Sequence, residues 1–382
     1  MPHPRAVDEL RQSGTAKRLL LLRYWRAASR ASMSAQTGTS TIAASAPRGD
    51  YCLISPARNE AEYIKKTLDS VLAQTVLPKR WIIIDDGSTD DTPKILAEYS
   101  AKHDLIEVHT RANRGRRALG GGVVEVFNYG MELLGEDPAE FVCKLDVDLI
   151  LPPRYFERLL EEMRQDDRLG SVSGKPYFTA GGEDSGELKS ERIGDDVSAG
   201  MTKFYRRAFL DDIGGLVKGL IWDGIDCYRG RMLGWRSKSI DDPDLRFIHL
   251  RQMGSSDRGI MTGRRRNGEG YWFMGAAPLF VLAKAVYGLG HKPALLGSVA
   301  FLDGYAKAWM KGLPRYDDPE FRRYLRRYHR AMLTHGRRRA LELFNKEADG
   351  VWEARRRSQL RPKVRARKRA AGAAGVATQA RS

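Results

Sequence analysis

Between Tyr51 and Asp148 the chain alternates short apolar runs with segments of helical spacing, and this alternation limits the fold more than any other feature. YCLIS, Trp81–Ile84, Leu105–His109 and Phe141–Leu145 read as four buried strands. Between the first two, Ile64, Leu68, Val71 and Leu72 share one helical face within Glu60–Gln74. Asp91 or Thr92 caps a second helix with Pro93 in its first turn, and a third ends near Leu134 after the loop NRGRRALGGG. A β-α-β-α-β-α-β order implies an α/β fold, a mostly parallel sheet flanked by helices. In such sheets ligands sit beyond the carboxyl ends of the strands. Two of these ends carry carboxylates: Asp85-Asp86-Gly87-Ser88 and Asp146-Val147-Asp148. The loop after the first strand has no G-x-G-x-x-G, so it lacks the backbone amides that a dinucleotide's pyrophosphate needs.

Five motifs, in order and spacing, carry a resemblance. Pro56-Ala57-Arg58-Asn59-Glu60, Asp85-Asp86-Gly87-Ser88, Asn113-x-Gly115, Asn128-Tyr129-Gly130 and Asp146-x-Asp148 resemble the inverting family 2 glycosyltransferases, which have the GT-A nucleotide-sugar-binding fold. The resemblance covers about 50–250. It implies that Asp86 binds the nucleotide base with Ala57 and Glu60 beside it, although Asp85 also suits a turn-capping role. It sets Arg114, Arg116 and Arg117 where a loop approaches the diphosphate, and guanidinium groups match phosphate oxygens in a bidentate way.

The residue chemistry agrees. In an extended strand, positions i and i+2 face one side, so Asp146 and Asp148 are expected to point together. Two hard oxygen ligands suit Mg2+ or Mn2+ bridging a diphosphate. The resemblance adds His249, in FIHLRQMGSSDRG, as a late metal ligand; Arg251 and Arg258 are candidates to close over the diphosphate.

Inversion needs a carboxylate base to take the acceptor hydroxyl's proton. The family sets an acidic pair eleven residues before a Gly-aromatic pair. Here Gly234-Trp235 follows Asp223 by eleven residues, so Asp223 takes the base position, with Trp222 in place of the usual Glu. Asp226 lies one helical turn on, on the same face, and is the alternative base. One of the two is expected to cap a helix near 224–233. No QxxRW motif of processive synthases is present, which favours single additions.

Charge divides the chain. Of the net +17, residues 1–49 hold +6, 321–352 hold +6 and 353–382 hold +9, leaving −4 for 50–320. The expected organisation is a basic, flexible 1–49, a catalytic domain over 50–260, a helical region over 261–350 and a basic, disordered tail over 351–382. Met33 is an alternative start of translation. Basic ends are drawn to anionic surfaces. Tyr271–Gly290 and Pro293–Lys311 are apolar but charged and short for spans; with Trp272, Phe273, Tyr287, Tyr305 and Trp309 they suit helices lying in a membrane interface, or else a packed subdomain or dimer face. Basic 321–339 would add attraction to anionic lipid. The three separated cysteines, Cys52, Cys143 and Cys227, form neither a disulfide framework nor a zinc spacing, so a reduced, cytoplasmic setting is expected, and the apolar and basic segments add the expectation of the inner face of the plasma membrane.

The expected activity is inverting, metal-assisted transfer of a sugar from a UDP- or GDP-linked donor to a hydroxyl of a glycan or lipid-linked acceptor, in surface polysaccharide or glycolipid assembly. The rivals are a sugar-phosphate nucleotidyltransferase, which would release pyrophosphate, and a non-catalytic nucleic-acid-binding protein. Basic tails on an acidic body favour the latter only weakly, because such binding is salt-sensitive and unspecific.

Overall fold

A computed structural model describes residues 46–115, 120–180, 187–251, 259–290 and 294–379. The first half follows the expected alternation: β1 (Tyr51–Ala57), α1 (Ile64–Leu72), β2 (Trp81–Asp85), α2 (Thr92–Ser100), β3 (Ile106–Thr110), α3 (Gly121–Leu134) and β4 (Phe141–Leu145). These strands lie parallel in the order β3-β2-β1-β4. Alternate residues of β1 enter different cores. Tyr51 and Leu53 pack with Leu68 of α1 and Leu96 of α2, whereas Cys52 and Ile54 pack with Val124 and Phe127 of α3. Burial on both faces is why the strands read as continuous apolar runs.

The second half is mixed. The chain runs through β5 (Leu149–Ile150), α4 (Tyr155–Gln165), β6 (Leu169–Ala180), β7 (Glu187–Ser190), β8 (Thr202–Arg206), α5 (Arg207–Asp212), α6 (Trp222–Met232), β9 (Arg236–Ile240) and β10 (Arg246–His249). Strand β8 lies antiparallel between β4 and β6, and β10 and β5 extend the sheet beyond β6. The sheet is therefore parallel in one half and mixed in the other, which local periodicity does not report. The mixed α/β sheet flanked by helices, with a helical C-terminal extension, is otherwise the expected class.

Two boundaries shift. Neither Asp91 nor Thr92 caps α2 with its side chain; Asp90 Oδ1 accepts from the Thr92 amide at 3.0 Å. Residues 46–49 belong to the fold rather than to a flexible arm: Arg48 pairs with Asp104 at 2.6 Å and the Gly49 amide donates to Leu77 at 2.7 Å. Residues 1–45 lie outside the described residues.

Beyond the sheet come α7 (Ile260–Met274), α8 (Pro278–Gly288), α9 (Ala294–Met310) and α10 (Pro319–Gln379), which is interrupted at Gly336. The tail expected to be disordered is helical to Gln379, in keeping with the high helix propensity of its Ala and Arg. Helices α7 and α9 touch backbone to backbone: a Cβ at Gly268 would lie 1.9 Å from the Phe301 carbonyl oxygen, and one at Gly304 2.0 Å from that of Arg265. Among the described residues, no helix is long and apolar enough to cross a membrane.

Candidate active site

The carboxyl ends of β1, β2 and β4, with the end of β10, bring most of the expected residues to one edge of the sheet. At the β2 end, Asp85 does turn-capping work: its Oδ1 accepts from the Ser88 amide at 3.0 Å and from the Ser88 hydroxyl at 2.5 Å. Asp86 extends from the same turn. Its amide donates to Ala57 at the β1 end at 2.8 Å, and Arg58 donates to its carbonyl. Its carboxylate takes Arg114 at 3.1 Å, and Arg114 also reaches Glu125 at 3.0 Å. Arg114 is thus held at the expected base-binding carboxylate, a partner chosen by chain folding rather than by sequence spacing. Arg116, Arg117 and Arg258 lie outside the described residues.

At the β4 end the two aspartates diverge. Strand β4 stops at Leu145 and the chain bends through Val147 and Asp148, so the strand rule for i and i+2 does not apply. Asp146 pairs with Lys144, whose ammonium also donates to the Gly200 carbonyl at 3.0 Å. Burial, partly offset by Lys144, raises the pKa of Asp146. Asp148 faces β10 instead. Its Oδ2 lies 3.6 Å from His249 Nε2 and 2.9 Å from Arg251 Nη2. Arg251 also holds both oxygens of Glu60 at 2.8 Å, which draws Glu60 to Asp148 rather than to the base end. Burial acts to raise Asp148, but His249 and Arg251 prevail and hold it down to about 2. Burial likewise opposes the His249 charge, but Asp148 and Glu191 push its pKa up to about 9.

Asp148 and His249 are the two side chains here whose chemistry suits a shared divalent cation, once Arg251 gives way. Glu191 Oε2 meets His249 Nδ1 at 2.9 Å and so orients Nε2 towards Asp148, the usual support of a metal-binding imidazole. Among the described residues no group of three or more His, Cys, Asp or Glu side chains forms a metal cage, so a cation held by Asp148 and His249 would need diphosphate oxygens and water to complete its shell. Asp146, paired with Lys144, is not part of that pair.

The two candidate bases separate clearly. Asp226 is buried and fully engaged: Lys203 Nζ reaches its oxygens at 2.6 and 2.7 Å, the Tyr205 hydroxyl donates at 2.5 Å and the Cys227 amide at 2.6 Å. With all these donors on it, Asp226 has no oxygen left to take a substrate proton, and the alternative base gives way. Asp223 is partly exposed in the first turn of α6, and neither aspartate caps that helix; Ile221, in the left-handed region at φ 56°, is its N-cap. Asp223 Oδ2 sits 2.6 Å from where a Gly200 Cβ would stand, so it packs against the residue whose carbonyl Lys144 holds. Burial raises the Asp223 pKa, with Lys203 acting against it. Trp222, in place of the family's Glu, lies against two ammonium groups: Lys144 Nζ is 5.5 Å and Lys203 Nζ 5.6 Å from its ring.

Sequence reasoning missed Lys144, Gly200, Lys203, Tyr205 and Glu191. A lysine inside an apolar strand was the available signal for Lys144. The i and i+2 spacing of Lys203 and Tyr205 in TKFYR was the signal for that pair. Glu191 carried none.

The chain is similar to the poly-beta-1,6-N-acetyl-D-glucosamine synthase of Staphylococcus epidermidis, 34% identical over 119 residues, which are 31% of this chain and 26% of that one. The corresponding Staphylococcus aureus (strain COL) enzyme is 33% identical over 118 residues, with the same coverage. The chain thus matches about a quarter of the length of these relatives. Among solved structures it is similar to the mannosyltransferase PcManGT from Pyrobaculum calidifontis in complex with GDP-Man and Mn2+, with a TM-score of 0.44 and 19% identity over 88% of this chain and 93% of that one. It is also similar to S. aureus TarS 1-349 in complex with UDP, with a TM-score of 0.42 and 16% identity over 71% and 94%. Residues 52–218, which hold the Asp86 turn, Asp146, Asp148 and Lys203, match the sequence profile of Glycosyl transferase family 2, and this part of the chain is a family 2 glycosyltransferase domain.

Proposed function

We propose that the protein is an inverting glycosyltransferase that moves a sugar from a UDP- or GDP-linked donor to a hydroxyl of a surface glycan or a lipid-linked acceptor. The observation that carries this reading is the Asp148–His249 pair at the β4 end together with Asp223, a partly exposed carboxylate packed on Gly200, whose carbonyl is held by the same Lys144 that pairs with Asp146. Asp86 would take the nucleotide base at the β2 end. Asp148 and His249 would hold Mg2+ or Mn2+, which when bound neutralises charge on the leaving nucleoside diphosphate. Arg251, once released from Glu60 and Asp148, would pair with the same phosphates. Asp223 accepts the acceptor hydroxyl's proton as that oxygen attacks the anomeric carbon from the face opposite the nucleotide. Burial raises its pKa, which makes it a better proton acceptor than an ordinary carboxylate. The poly-N-acetylglucosamine synthases among the relatives support a surface-glycan acceptor. The missing QxxRW supports single additions.

The test is a screen of nucleotide sugars for turnover, with nucleoside diphosphate and pyrophosphate measured separately. Release of nucleoside diphosphate that stops in excess EDTA and in Asp148→Ala is expected. Release of pyrophosphate, or full activity in EDTA, would overturn the reading.

A further inference from the structure

Helix α9 is apolar apart from Asp303, which pairs with Lys307 and Arg265, yet much of its apolar surface is uncovered. Phe301 and Tyr305 face inward onto α7, whereas Leu296, Val299, Trp309 and Met310 face out. Leu282 and Val286 of α8 continue the same surface, and these six side chains are between 52% and 75% exposed. Exposed large apolar side chains gathered on one side of a helix pair mark a surface that meets another apolar body. From Leu296 to Met310 the outward side of α9 runs about 21 Å at 1.5 Å per residue, with the neutralising Asp303–Lys307 pair between its two apolar ends.

What surrounds the patch identifies that neighbour. Residues 278–316 contain five Lys or Arg and one Asp, and 319–335 contain five Arg and one Glu. The second stretch lies beside the first, since Phe280 of α8 stacks on His329 of α10 at 3.6 Å, and Arg323, Arg326 and Arg330 are exposed. An isologous dimer through this face would set a basic rim against its own copy. An anionic bilayer offers the opposite charge around an apolar interior. We infer that the α8–α9 face docks in the plane of an anionic membrane, with the outward residues of α8 and α9 among the upper acyl chains and the α10 arginines at the headgroups.

The orientation also bears on the acceptor. Helix α7 joins this face to α6: a Gly270 Cβ would lie 2.5 Å from the side chain of Ile221, the N-cap two residues before Asp223. Resting on the transferase reading, this turns the acceptor side of the site towards lipid, so that a hydroxyl on a membrane-borne molecule meets Asp223.

The test is flotation of the full chain with vesicles of phosphatidylcholine alone or mixed with phosphatidylglycerol, at low and high salt. Binding should require the anionic lipid. High salt should weaken it but leave a resistant fraction, because apolar insertion is not screened. Leu296→Glu/Val299→Glu should reduce that fraction by tenfold or more while donor hydrolysis is unchanged. A milder Leu296→Ser variant reads the same effect if the double variant fails to fold. Trp309 emission should shift to the blue with vesicles and be quenched by brominated lipid, and Trp309→Phe should remove that component. A lipid-free dimer in which Trp309 is already shielded, or a salt-resistant fraction unaltered by the glutamates, would overturn the inference. Loss of binding with donor hydrolysis intact would leave the transferase reading standing.

Discussion

Replacing each candidate base by its amide should separate a structural aspartate from a chemical one. In Asp226→Asn, Lys203 keeps its charge in a site where the two side chains are 0% and 1% exposed, and loses the carboxylate that balances it. Removing one partner of a buried pair costs about 3–5 kcal/mol, which in a chain of this size lowers the melting temperature by roughly 10 °C. The sign of the pH effect follows from Lys203. Burial alone would lower its pKa, and Asp226 is the leading influence that raises it. In the parent this stabilisation is complete below the unfolded pKa of lysine and fades only as pH rises through the still higher folded value. Without Asp226 the folded pKa drops below the unfolded one. The variant should therefore be weakest at neutral and acid pH and recover as the ammonium deprotonates. Lys203→Met/Asp226→Leu removes both charges and should cost far less than Asp226→Asn. In Asp223→Asn the carboxylate is already disfavoured by burial, so stability should move by no more than about 0.5 kcal/mol. Turnover should nonetheless fall about 10²–10⁴-fold, with donor affinity held. Calorimetric melting from acid to alkaline pH, paired with turnover well below the transition, reads both. An Asp226→Asn protein that melts like the parent yet loses turnover, beside an active Asp223→Asn, would refute the assignment.

Two further outcomes follow from the site. Because His249 is protonated up to about 9 and must lose that proton to bind a cation, Mn2+ affinity measured by calorimetry should rise with pH up to about 9 with proton release; an affinity independent of pH would exclude His249 as a ligand. Gly200→Ala places a Cβ 2.6 Å from Asp223 Oδ2 and should lower turnover at least tenfold by displacing that carboxylate, while nucleotide affinity stays the same; normal turnover would remove Asp223 from the chemistry.

The strand-helix alternation, the carboxylates at the β2 and β4 ends, and the positions of Asp223 and His249 were legible in the sequence. Each is written in local spacing: a period of two or 3.6, a turn after a strand, or a fixed interval from Gly234-Trp235. The partners of those residues were not. Asp148 meets Arg251, 103 positions away, only because β10 folds back beside the β4 end. Glu191 reaches His249 across 58 positions, and Lys203 and Asp226 come from β8 and α6. Spacing treats Asp223 and Asp226 as equals one turn apart. The antiparallel entry of β8 separates them, because it buries Lys203 against one and leaves the other packed on Gly200. Composition and local order set the class of fold and the chemistry at the strand ends. Which carboxylate stays free depends on burial and long-range charge, and those exist only once distant segments have packed.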